Sequence, residues 1–447
     1  MVGKRRSGLA NDRRAYRCNI PCPPLPNCPS ITTLLLSDIA TFVSGTVWIL
    51  NENTTILRCE VLEITSGQEL QTNHFTLTNN GTINVRGTIR NAQYTFGSNS
   101  ITINNGTINI FPTGTIVAVD SGSIITNNGI LNNYGDFFCQ TYGVINNNVG
   151  GQINNYSFYS SGNGGFRVNA LGIFNNVGTF INNTTATIIV IGGGSDGTIN
   201  NNYGGTIVNQ GTITIGNISN PGGIINNYST LFTNNGTISI SYSGTFNNTW
   251  DDNINNNGPI LTNNGSINII VASGNLNNGR AILNNNTGGA ITSVGTITNL
   301  EATINNNAGG IITNNASIQN NSSTTINNNS GARIDGTGAI FNNEITSIIM
   351  NIGIITITGA TGGIQNSGTI NVNGGVINLN LMLGGILNNG TLFVYDSGRI
   401  TGFETATIFN NSTISIADGL GSCGTGFITT IVVNNQIGST LNSDCPT

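Results

Sequence analysis

The chain has 447 residues, 61 of them glycine, and it carries 13 basic and 18 acidic side chains for a formal net charge of −5. Charged residues make up 7% of the chain, against roughly 25% in typical globular domains, which argues against two or three ordinary domains. The hydrophobic content of 37% excludes a simply solvated disordered chain. An aggregation-prone Asn-rich tract is the remaining alternative, but it would lack the regular isoleucine spacing of the repeats in this chain.

Residues 1–30 are interpreted as a basic arm rich in proline and cysteine. The basic side chains of the arm are Lys4, Arg5, Arg6, Arg13, Arg14 and Arg17. They form either a solvated tail or an anchor to an anionic partner, such as an acidic protein face, lipid headgroups or nucleic acid. Nucleic acid is the least favoured partner, because no folded basic face accompanies the charges. The arm has no apolar stretch of the kind found in secretory signals, so we expect no signal peptide.

Six of the seven cysteines lie towards the two ends of the chain. We expect disulfides there, by some pairing among Cys18, Cys22, Cys28 and Cys59 and between Cys423 and Cys445. Such terminal cross-links suit a protein exposed to oxidants. A zinc site is the alternative at the first three cysteines, but structural zinc needs four ligands and the chain has a single histidine. The odd count leaves one thiol over, and Cys139 is expected to be a small apolar core residue.

Residues 31–74 are interpreted as an N-terminal cap with atypical first strands. The apolar stretch 31–50 is interrupted by Asp38 and by several serines and threonines. At about 20 residues it is only marginally long enough to cross a bilayer, so we expect no transmembrane segment. Solenoids need terminal units that cover the last open edge, which favours a cap.

Residues 75–417 form the predicted repeat body, in which Asn-Asn-Gly-Thr-Ile and close variants recur roughly once every 20 to 30 residues. The phrase stands at 79–83, 104–108, 234–238 and, with a final leucine, at 388–392. Between these phrases β-branched and polar residues alternate, as in strands with one buried face. Thr-Ile-Asn begins at Thr303 and again at Thr325, and a spacing of about 22 residues suits one coil of short strands with two or three corners.

The predicted fold is therefore all-β: a single-stranded parallel β-helix (β-solenoid) of about 15 coils with capped ends, roughly 70 Å long at the usual interstrand spacing. An antiparallel sandwich also has many short strands, but it does not require the same corner to repeat along the chain. Residues 418–447 are interpreted as a C-terminal cap that holds the Cys423–Cys445 pair.

Asparagine is given two roles at the corners of this coil. It tolerates a left-handed backbone, and its amide can hydrogen-bond to the equivalent amide one coil away, forming a ladder. A neutral ladder avoids the repulsion between stacked like charges, which explains why charge nearly vanishes in the body. Isoleucines are expected to form columns inside, each side chain contributing about 1.5 to 3 kcal/mol on burial.

Two stretches carry a resemblance to known repeat proteins: Gly-Thr-Ile-Asn-Asn-Asn-Tyr-Gly-Gly-Thr-Ile at 197–207 and Thr-Asn-Asn-Gly-Thr-Ile-Ser-Ile at 233–240. They resemble the Asn/Gly-rich parallel β-helices of filamentous-haemagglutinin-like adhesins and of surface or fibre proteins encoded by large DNA viruses. The resemblance is to an architecture, and it covers the repeat body. It implies an external fibre, spike or coat component located on a virion or an extracellular surface, and the lack of a recognised signal peptide favours the virion.

Catalytic, cofactor-binding and metal-binding residues are not predicted. Polysaccharide-degrading β-helices place clustered acidic and basic residues on one face, which makes such an enzyme a remote alternative. Here the only adjacent acidic pair is Asp251 and Asp252, and neighbouring strand residues point to opposite faces. His74 has no evident nucleophilic partner, and no phosphate-binding or dinucleotide-binding motif is present. Ice binding by threonine rows is disfavoured, because the Thr-x-Thr pairs are scattered and ordinary β-propensity accounts for them.

Two functions remain, a structural rod and a glycan-binding adhesin. The expected partners are further copies of the chain, other coat or surface proteins, or a glycan. The aromatic residues that could bind sugar each follow Asn-Asn, and they are Tyr134, Tyr156, Tyr203 and Tyr228. These tyrosines could stack in one external column, or they could merely cover the corners of the coil.

Overall fold

A computed structural model describes residue 28 and residues 30–92, 99–158, 165–193, 195–249, 258–359, 363–381, 385–395, 397–402, 406–416, 427–429, 432–436, 438 and 440–443. Within these ranges the chain winds into three β-sheets, named A, B and C. Each full coil supplies one strand to A, then one to B, then one to C, and returns to A beside its previous strand.

All three sheets are built from short strands. Sheet A consists of Thr32–Leu34, Glu60–Ile64, Thr82–Val85, Thr107–Ile110, Ile130–Asn133, Gln152–Asn155, Thr179–Asn182, Thr206–Asn209, Leu231–Asn234, Ile260–Asn263, Ile282–Asn285, Thr303–Asn306, Thr325–Asn328, Ile348–Asn351, Thr369–Asn373, Thr391–Tyr395, Thr413–Ile416 and Thr440–Ser443. Sheet B consists of Ala40–Ser44, Val47–Leu50, Glu69–Gln71, Thr88–Asn91, Thr115–Val119, Asp136–Gln140, Gly165–Val168, Thr187–Val190, Thr212–Ile215, Thr237–Ile240, Ser266–Ile269, Ala290–Ser293, Ile311–Asn314, Arg333–Gly336, Ile354–Gly359, Val376–Leu381, Arg399–Gly402 and Phe427–Thr429. Sheet C consists of Thr54–Ile56, Thr76–Asn79, Ser100–Asn104, Ser123–Asn127, Val144–Asn147, Ile173–Asn176, Thr198–Asn201, Ile224–Asn227, Thr245–Thr249, Asn275–Gly279, Thr296–Leu300, Ser317–Asn321, Ala339–Asn342, Ile364–Asn366, Gly385–Asn388, Thr407–Asn410 and Val432–Asn435.

Pairing between coils is parallel and in register, so that Thr82 lies beside Thr107, and Thr107 beside Ile130. The result is a parallel β-solenoid of about 15 coils, which confirms the predicted fold class and rejects the antiparallel sandwich. The same pairing continues to Thr440–Ser443, beyond residue 417, where the sequence predicted the body to end. Within the described ranges no helix is long and apolar enough to cross a membrane.

The core is a set of apolar columns that run the length of the rod. Along a typical strand such as Thr107–Ile110, the second and fourth side chains are buried and the first and third are not. Isoleucine from successive coils dominates the columns, as predicted, and Ile108 is fully buried. A cluster of larger side chains interrupts this pattern. Phe166 packs against Phe137, Phe174 and Phe180 at ring-centroid distances of 4.8 to 5.4 Å.

An unbroken row of amides, buried from Asn79 to Asn410, runs along the corner between sheets C and A. Each Nδ2 donates to the Oδ1 of the asparagine in the following coil at 2.7 to 2.9 Å. This row, called ladder C, consists of Asn79, Asn104, Asn127, Asn147, Asn176, Asn201, Asn227, Asn248, Asn278, Asn299, Asn320, Asn342, Asn366, Asn388, Asn410 and Asn435. In most coils the same amide also donates to a backbone carbonyl of the sheet A strand one coil further on, as Asn79 does to Thr107 at 3.0 Å.

A second buried row lies at the corner between sheets A and B, with Nδ2-to-Oδ1 distances of 2.7 to 2.9 Å and the same direction of donation. This row, called ladder A, consists of Asn133, Asn155, Asn182, Asn209, Asn234, Asn263, Asn285, Asn306, Asn328 and Asn351. Ladder A is shorter than ladder C because apolar residues take the equivalent position in the adjacent coils. Ile110 holds that position in the coil before Asn133, and Val372 holds it in the coil after Asn351. Both rows confirm the prediction of amide ladders between coils.

The expected left-handed backbone at the corner asparagines is wrong. Asn73 is the only asparagine with a positive φ among the described residues. It belongs to neither ladder. The ladder asparagines are strand residues, and their regular spacing reflects the hydrogen bonds of their amides. The glycine that follows them is required by close packing: a Cβ on Gly106 would lie 2.1 Å from the carbonyl oxygen of Gly81 in the preceding coil.

The N-terminal end of the core is covered by residues that depart from the parallel pattern. Leu36, in the 3₁₀ turn Leu36–Asp38, is buried at this end together with Leu50. The strand Ala40–Ser44 pairs antiparallel with Val47–Leu50. A disulfide joins Cys28 to Cys59, with Cα atoms 5.6 Å apart, which confirms that pairing occurs within the predicted N-terminal group of cysteines.

Removing this disulfide is expected to loosen the first coils. Because the cross-link closes a loop of about 30 residues, the double variant Cys28→Ser/Cys59→Ser should lose about 3 kcal/mol of stability in this region. The strand Thr32–Leu34, which pairs with Glu60–Ile64 beside Cys59, should then exchange its amide hydrogens faster, as hydrogen-exchange mass spectrometry would detect. Reductant added to the double variant serves as the control and should change nothing further, and unchanged exchange in the variant would contradict the prediction.

Candidate functional surface

The three faces of the rod differ sharply in charge. In the described chain no charged residue stands in any sheet A strand from Thr82–Val85 to Thr413–Ile416, or in any sheet C strand from Thr76–Asn79 to Thr407–Asn410. Over the same length the sheet B strands carry Arg90, Asp136, Arg167, Arg333, Asp335 and Arg399. Two faces therefore present only uncharged side chains, and ionic groups in the strands are confined to the third.

Charges on sheet B largely compensate one another. Arg167 pairs with Asp136 of the preceding coil at 3.0 Å, and both side chains are mostly buried. The same guanidinium lies 4.5 Å from the ring centroid of Phe138. Arg333 pairs with Asp335 in its own strand at 3.0 Å. Among the described residues no group of three or more histidine, cysteine or acidic side chains could hold a metal ion.

Outward-facing asparagines form further ladders on the uncharged faces. On sheet C the row consists of Asn146, Asn175, Asn200, Asn226, Asn247 and Asn277, with distances of 2.8 to 3.0 Å. On sheet A there are two rows with distances of 2.8 to 3.0 Å, one of Asn84, Asn109, Asn132 and Asn154 and the other of Asn284, Asn305 and Asn327. In these outer rows each Nδ2 donates to the preceding coil, opposite to the buried ladders. These hydrogen bonds keep the surface amides of neighbouring coils at a regular spacing along the rod.

The four tyrosines lie at two different corners. Tyr134 and Tyr156 follow ladder A asparagines in successive coils, and their rings stack at 4.6 Å with an interplanar angle of 7°. Their exposures are 45% and 38%. Tyr203 and Tyr228 follow ladder C asparagines at another corner, offset from each other by one position. Of the two alternatives for these tyrosines, a single column is therefore not formed, because Asn-Asn precedes two kinds of corner, and among the four only Tyr134 and Tyr156 form a stacked pair.

Cys139 is the free cysteine of the described residues, and it is fully buried. Its Sγ–H lies 3.6 Å from the carbonyl oxygen of Ile173. Burial raises the pKa of the Cys139 thiol well above its usual range, so the group stays protonated and unreactive. This confirms its predicted place in the core.

Several predicted residues lie outside the described ranges. They are the arm residues Lys4, Arg5, Arg6, Arg13, Arg14 and Arg17, the cysteines Cys18, Cys22, Cys423 and Cys445, and the acidic pair Asp251 and Asp252. The anchoring role of the arm and the C-terminal disulfide stay predictions.

Comparison with known proteins leaves the family of this chain open. No family model matches it, and no curated protein matches it. A crystal structure of a TibC-catalysed, hyper-glycosylated fragment of TibA is 15% identical over 88% of this chain and 98% of that one, with a TM-score of 0.23. The superposition is too loose to carry functional meaning, so the function must follow from the surface of this chain.

Sequence reasoning missed the segregation of charge onto one face. Strand residues alternate between inside and outside, which can be read from the repeats, but the face that a strand occupies depends on its place in the order A, B, C. The chain between the B and C strands varies in length, from Asn91 to Ser100 in one coil and from Val119 to Ser123 in the next. The Asn-Asn-Gly-Thr-Ile phrase marks a corner of the coil. Counting strands from this phrase would have assigned each strand to its sheet and so revealed that the charged strand residues share one face.

Proposed function

We propose that this protein is a non-enzymatic structural rod that forms a fibre, spike or coat element on the exterior of a virus particle or a cell. The observation that supports this function is ladder C, which runs without a break from Asn79 to Asn435. Each coil is fixed to the next by three strand pairings and by this buried amide row, so bending the rod would strain hydrogen bonds that water cannot replace.

The distribution of ionisable groups supports a structural role over a catalytic one. Catalysis of hydrolysis or elimination on a β-helix needs acidic side chains gathered on one face. Asp136 and Asp335, on the charged face, are each paired with an arginine, and they lie many coils apart. The buried thiol of Cys139 is held in its protonated form, so it offers no nucleophile.

Electron microscopy of the purified protein and immunogold labelling of its source test this function. Negative stain is expected to show straight rods of about 80 Å, from the 18 stacked strands of sheet A. Gold particles are expected on the exterior of intact particles or cells, without permeabilisation. Labelling that appears only after the particles or cells are opened would contradict the proposal, as would flexible chains of beads in place of rods.

Glycan binding is the second candidate, and the stacked pair Tyr134 and Tyr156 favours it, because exposed aromatic rings provide apolar platforms with polar tips. On a glycan array, Tyr156→Ala should then abolish a signal that the unmodified protein gives. Tyr203→Ala, at a similarly exposed position on another corner, serves as the control and should preserve the signal. An array without any signal, or one in which both variants bind normally, would remove this candidate.

A further inference from the structure

The outer surface of sheet A between Thr82–Val85 and Ile348–Asn351, called face A, changes character along its length. Its two outer asparagine rows lie towards the two ends. Between them the amides are replaced at the same register position by Ile181, Val208, Thr233 and Thr262. The middle of the face is therefore the part that has lost its polar ladder.

The neighbouring outward column is apolar on one side of this middle region, whereas Gln152, Thr179 and Thr206 occupy it on the other side. The apolar side contains Leu231, Ile260 and Ile282, and Leu231 is 51% exposed. Together with Ile181 and Val208 these side chains form an apolar centre that is bordered along the rod by amides. Interfaces between proteins commonly have this arrangement, with an apolar centre and a polar rim. In an isolated rod these apolar side chains would stay exposed to water, and exposed apolar patches commonly mark interaction sites.

The outer asparagine rows of face A are symmetric about a line between the strands Thr206–Asn209 and Leu231–Asn234. A two-fold axis along this line, parallel to the strands, would keep each position along a strand and reverse the order of the coils. Asn154 would then face Asn284 of a second copy, Asn132 would face Asn305, and Asn109 would face Asn327. The central strands would face one another, with Leu231 of one copy opposite Thr206 of the other and Val208 opposite Thr233. Self-complementarity of this kind is what a closed two-fold interface requires.

We propose that face A is the pairing surface for a second copy of this chain, bound antiparallel through this two-fold axis. The proposal rests on the proposed function as a structural rod. Charge favours it, because two copies of an uncharged face meet without burying ionic groups, whereas pairing through sheet B would take its arginine and aspartate side chains out of water. Opposed amide rows can also exchange hydrogen bonds across the interface, since each side-chain amide has two N–H groups and two acceptor lone pairs.

The area of face A is sufficient for a stable dimer. Twelve coils at about 4.8 Å and strands of about 13 Å give a surface of roughly 750 Å² per copy. Specific interfaces typically bury about 800 Å² on each partner. The outer surface of sheet C, called face C, has the opposite pattern, with its asparagine row in the middle and exposed rings such as Phe409 towards one end. A two-fold axis through its middle would therefore cross an amide row, although Val144, Ile173 and Ile224 stand in the neighbouring outward column.

Sedimentation equilibrium of the full chain across a concentration series tests the proposal. The unmodified protein should have the mass of a dimer. Leu231→Glu should raise the dissociation constant by about 100-fold or more, because it places two unpaired carboxylates in the apolar centre. Ile311→Glu is the matched control, because Ile311 is 41% exposed and also begins a strand, but on sheet B. It should leave the dimer intact.

A charge-pair experiment tests the antiparallel register. Gln152 of one copy would face Ile282 of the other, so the double variant Gln152→Lys/Ile282→Glu should form two intermolecular ion pairs and dimerise more tightly than either single variant. In one chain these residues are five coils apart, about 24 Å, which is too far for a direct pair. Restoration by the double variant therefore requires a partner in the proposed register.

Four results would overturn the proposal: a monomeric unmodified protein, a dimer that survives Leu231→Glu, no gain from the double variant, or dissociation by Ile224→Glu on face C in place of Leu231→Glu. Circular dichroism of each variant checks that the β-structure is retained. Failure of the pairing surface is distinguishable from failure of the proposed function, because rods that are monomeric in solution can still be labelled on the exterior by immunogold.

Discussion

Asn176→Asp is expected to cause one of the largest losses of stability available to a single substitution in this protein, about 3 to 5 kcal/mol. Asn176 is fully buried in ladder C. Its amide accepts a hydrogen bond from Asn147 at 2.8 Å and donates to Asn201 at 2.8 Å and to the carbonyl of Thr206 at 3.0 Å. A carboxylate can still accept the first bond, but it cannot donate the other two, and its charge is buried.

This loss should depend on pH in a direction that identifies its cause. Burial disfavours the charged form, so the pKa of the introduced carboxyl is raised in the folded state. The folded state then binds a proton that the unfolded state has released, and the deficit shrinks as pH falls towards the unfolded pKa and grows as pH rises. Denaturant unfolding followed by circular dichroism at acidic and neutral pH measures the effect.

Asn175→Asp provides the control for this prediction. Asn175 is the adjacent residue, but its side chain is in the outer row of sheet C, where it accepts from Asn200 at 2.9 Å and donates to Asn146 at 3.0 Å. Water can replace these bonds, so the loss should be about 1 kcal/mol or less. Equal losses at the two positions would show that burial of ladder C does not hold the coils together.

Phe166→Ala is the second substitution with a large expected effect, about 3 to 5 kcal/mol. The ring is fully buried and contacts Phe137, Phe174 and Phe180. Its removal leaves a cavity that the stacked coils cannot close, because their spacing is fixed by backbone hydrogen bonds above and below. The midpoint and slope of guanidinium unfolding measure the loss.

Phe138→Ala is the matched control for the cavity. Phe138 lies in a neighbouring strand of the same sheet but points outward, where its ring meets the Arg167 guanidinium. Losing that contact should reduce stability by about 0.5 to 1 kcal/mol. A Phe166→Ala variant that unfolds at the same denaturant concentration as Phe138→Ala would mean that the aromatic cluster is not tightly packed.

Much of the body could be predicted because its sequence repeats the same local physics in every coil. The alternation in Thr107–Ile110 indicates one buried face, and its recurrence indicates stacking in register. Ladder C follows from Asn-Asn-Gly, since the first asparagine ends a strand facing inwards. What failed was the assignment of a left-handed backbone to these residues. Asparagine is common both in turns and in ladders, and composition alone does not separate the two.

Features that depend on distant coils could not be predicted in the same way. Tyr156 and Tyr203 have the same local sequence, Asn-Asn-Tyr, yet they occupy different corners, because one follows a sheet A strand and the other a sheet C strand. The phenylalanine cluster brings together Phe137 and Phe180 from different coils. Only the register between coils determines such neighbours, and loops of unequal length hide that register in the sequence.

The opposed donation of the inner and outer asparagine rows has a consequence for the electrostatics of the whole molecule. Each side-chain amide is a dipole, and a row of them aligned head to tail adds up along the axis. In ladder C these dipoles point one way, as from Asn79 to Asn104, while on the surface they point the other way, as from Asn109 to Asn84. The outer rows offset part of the dipole of the buried ladders, so the opposite partial charges at the two tips are smaller than the buried ladders alone would produce.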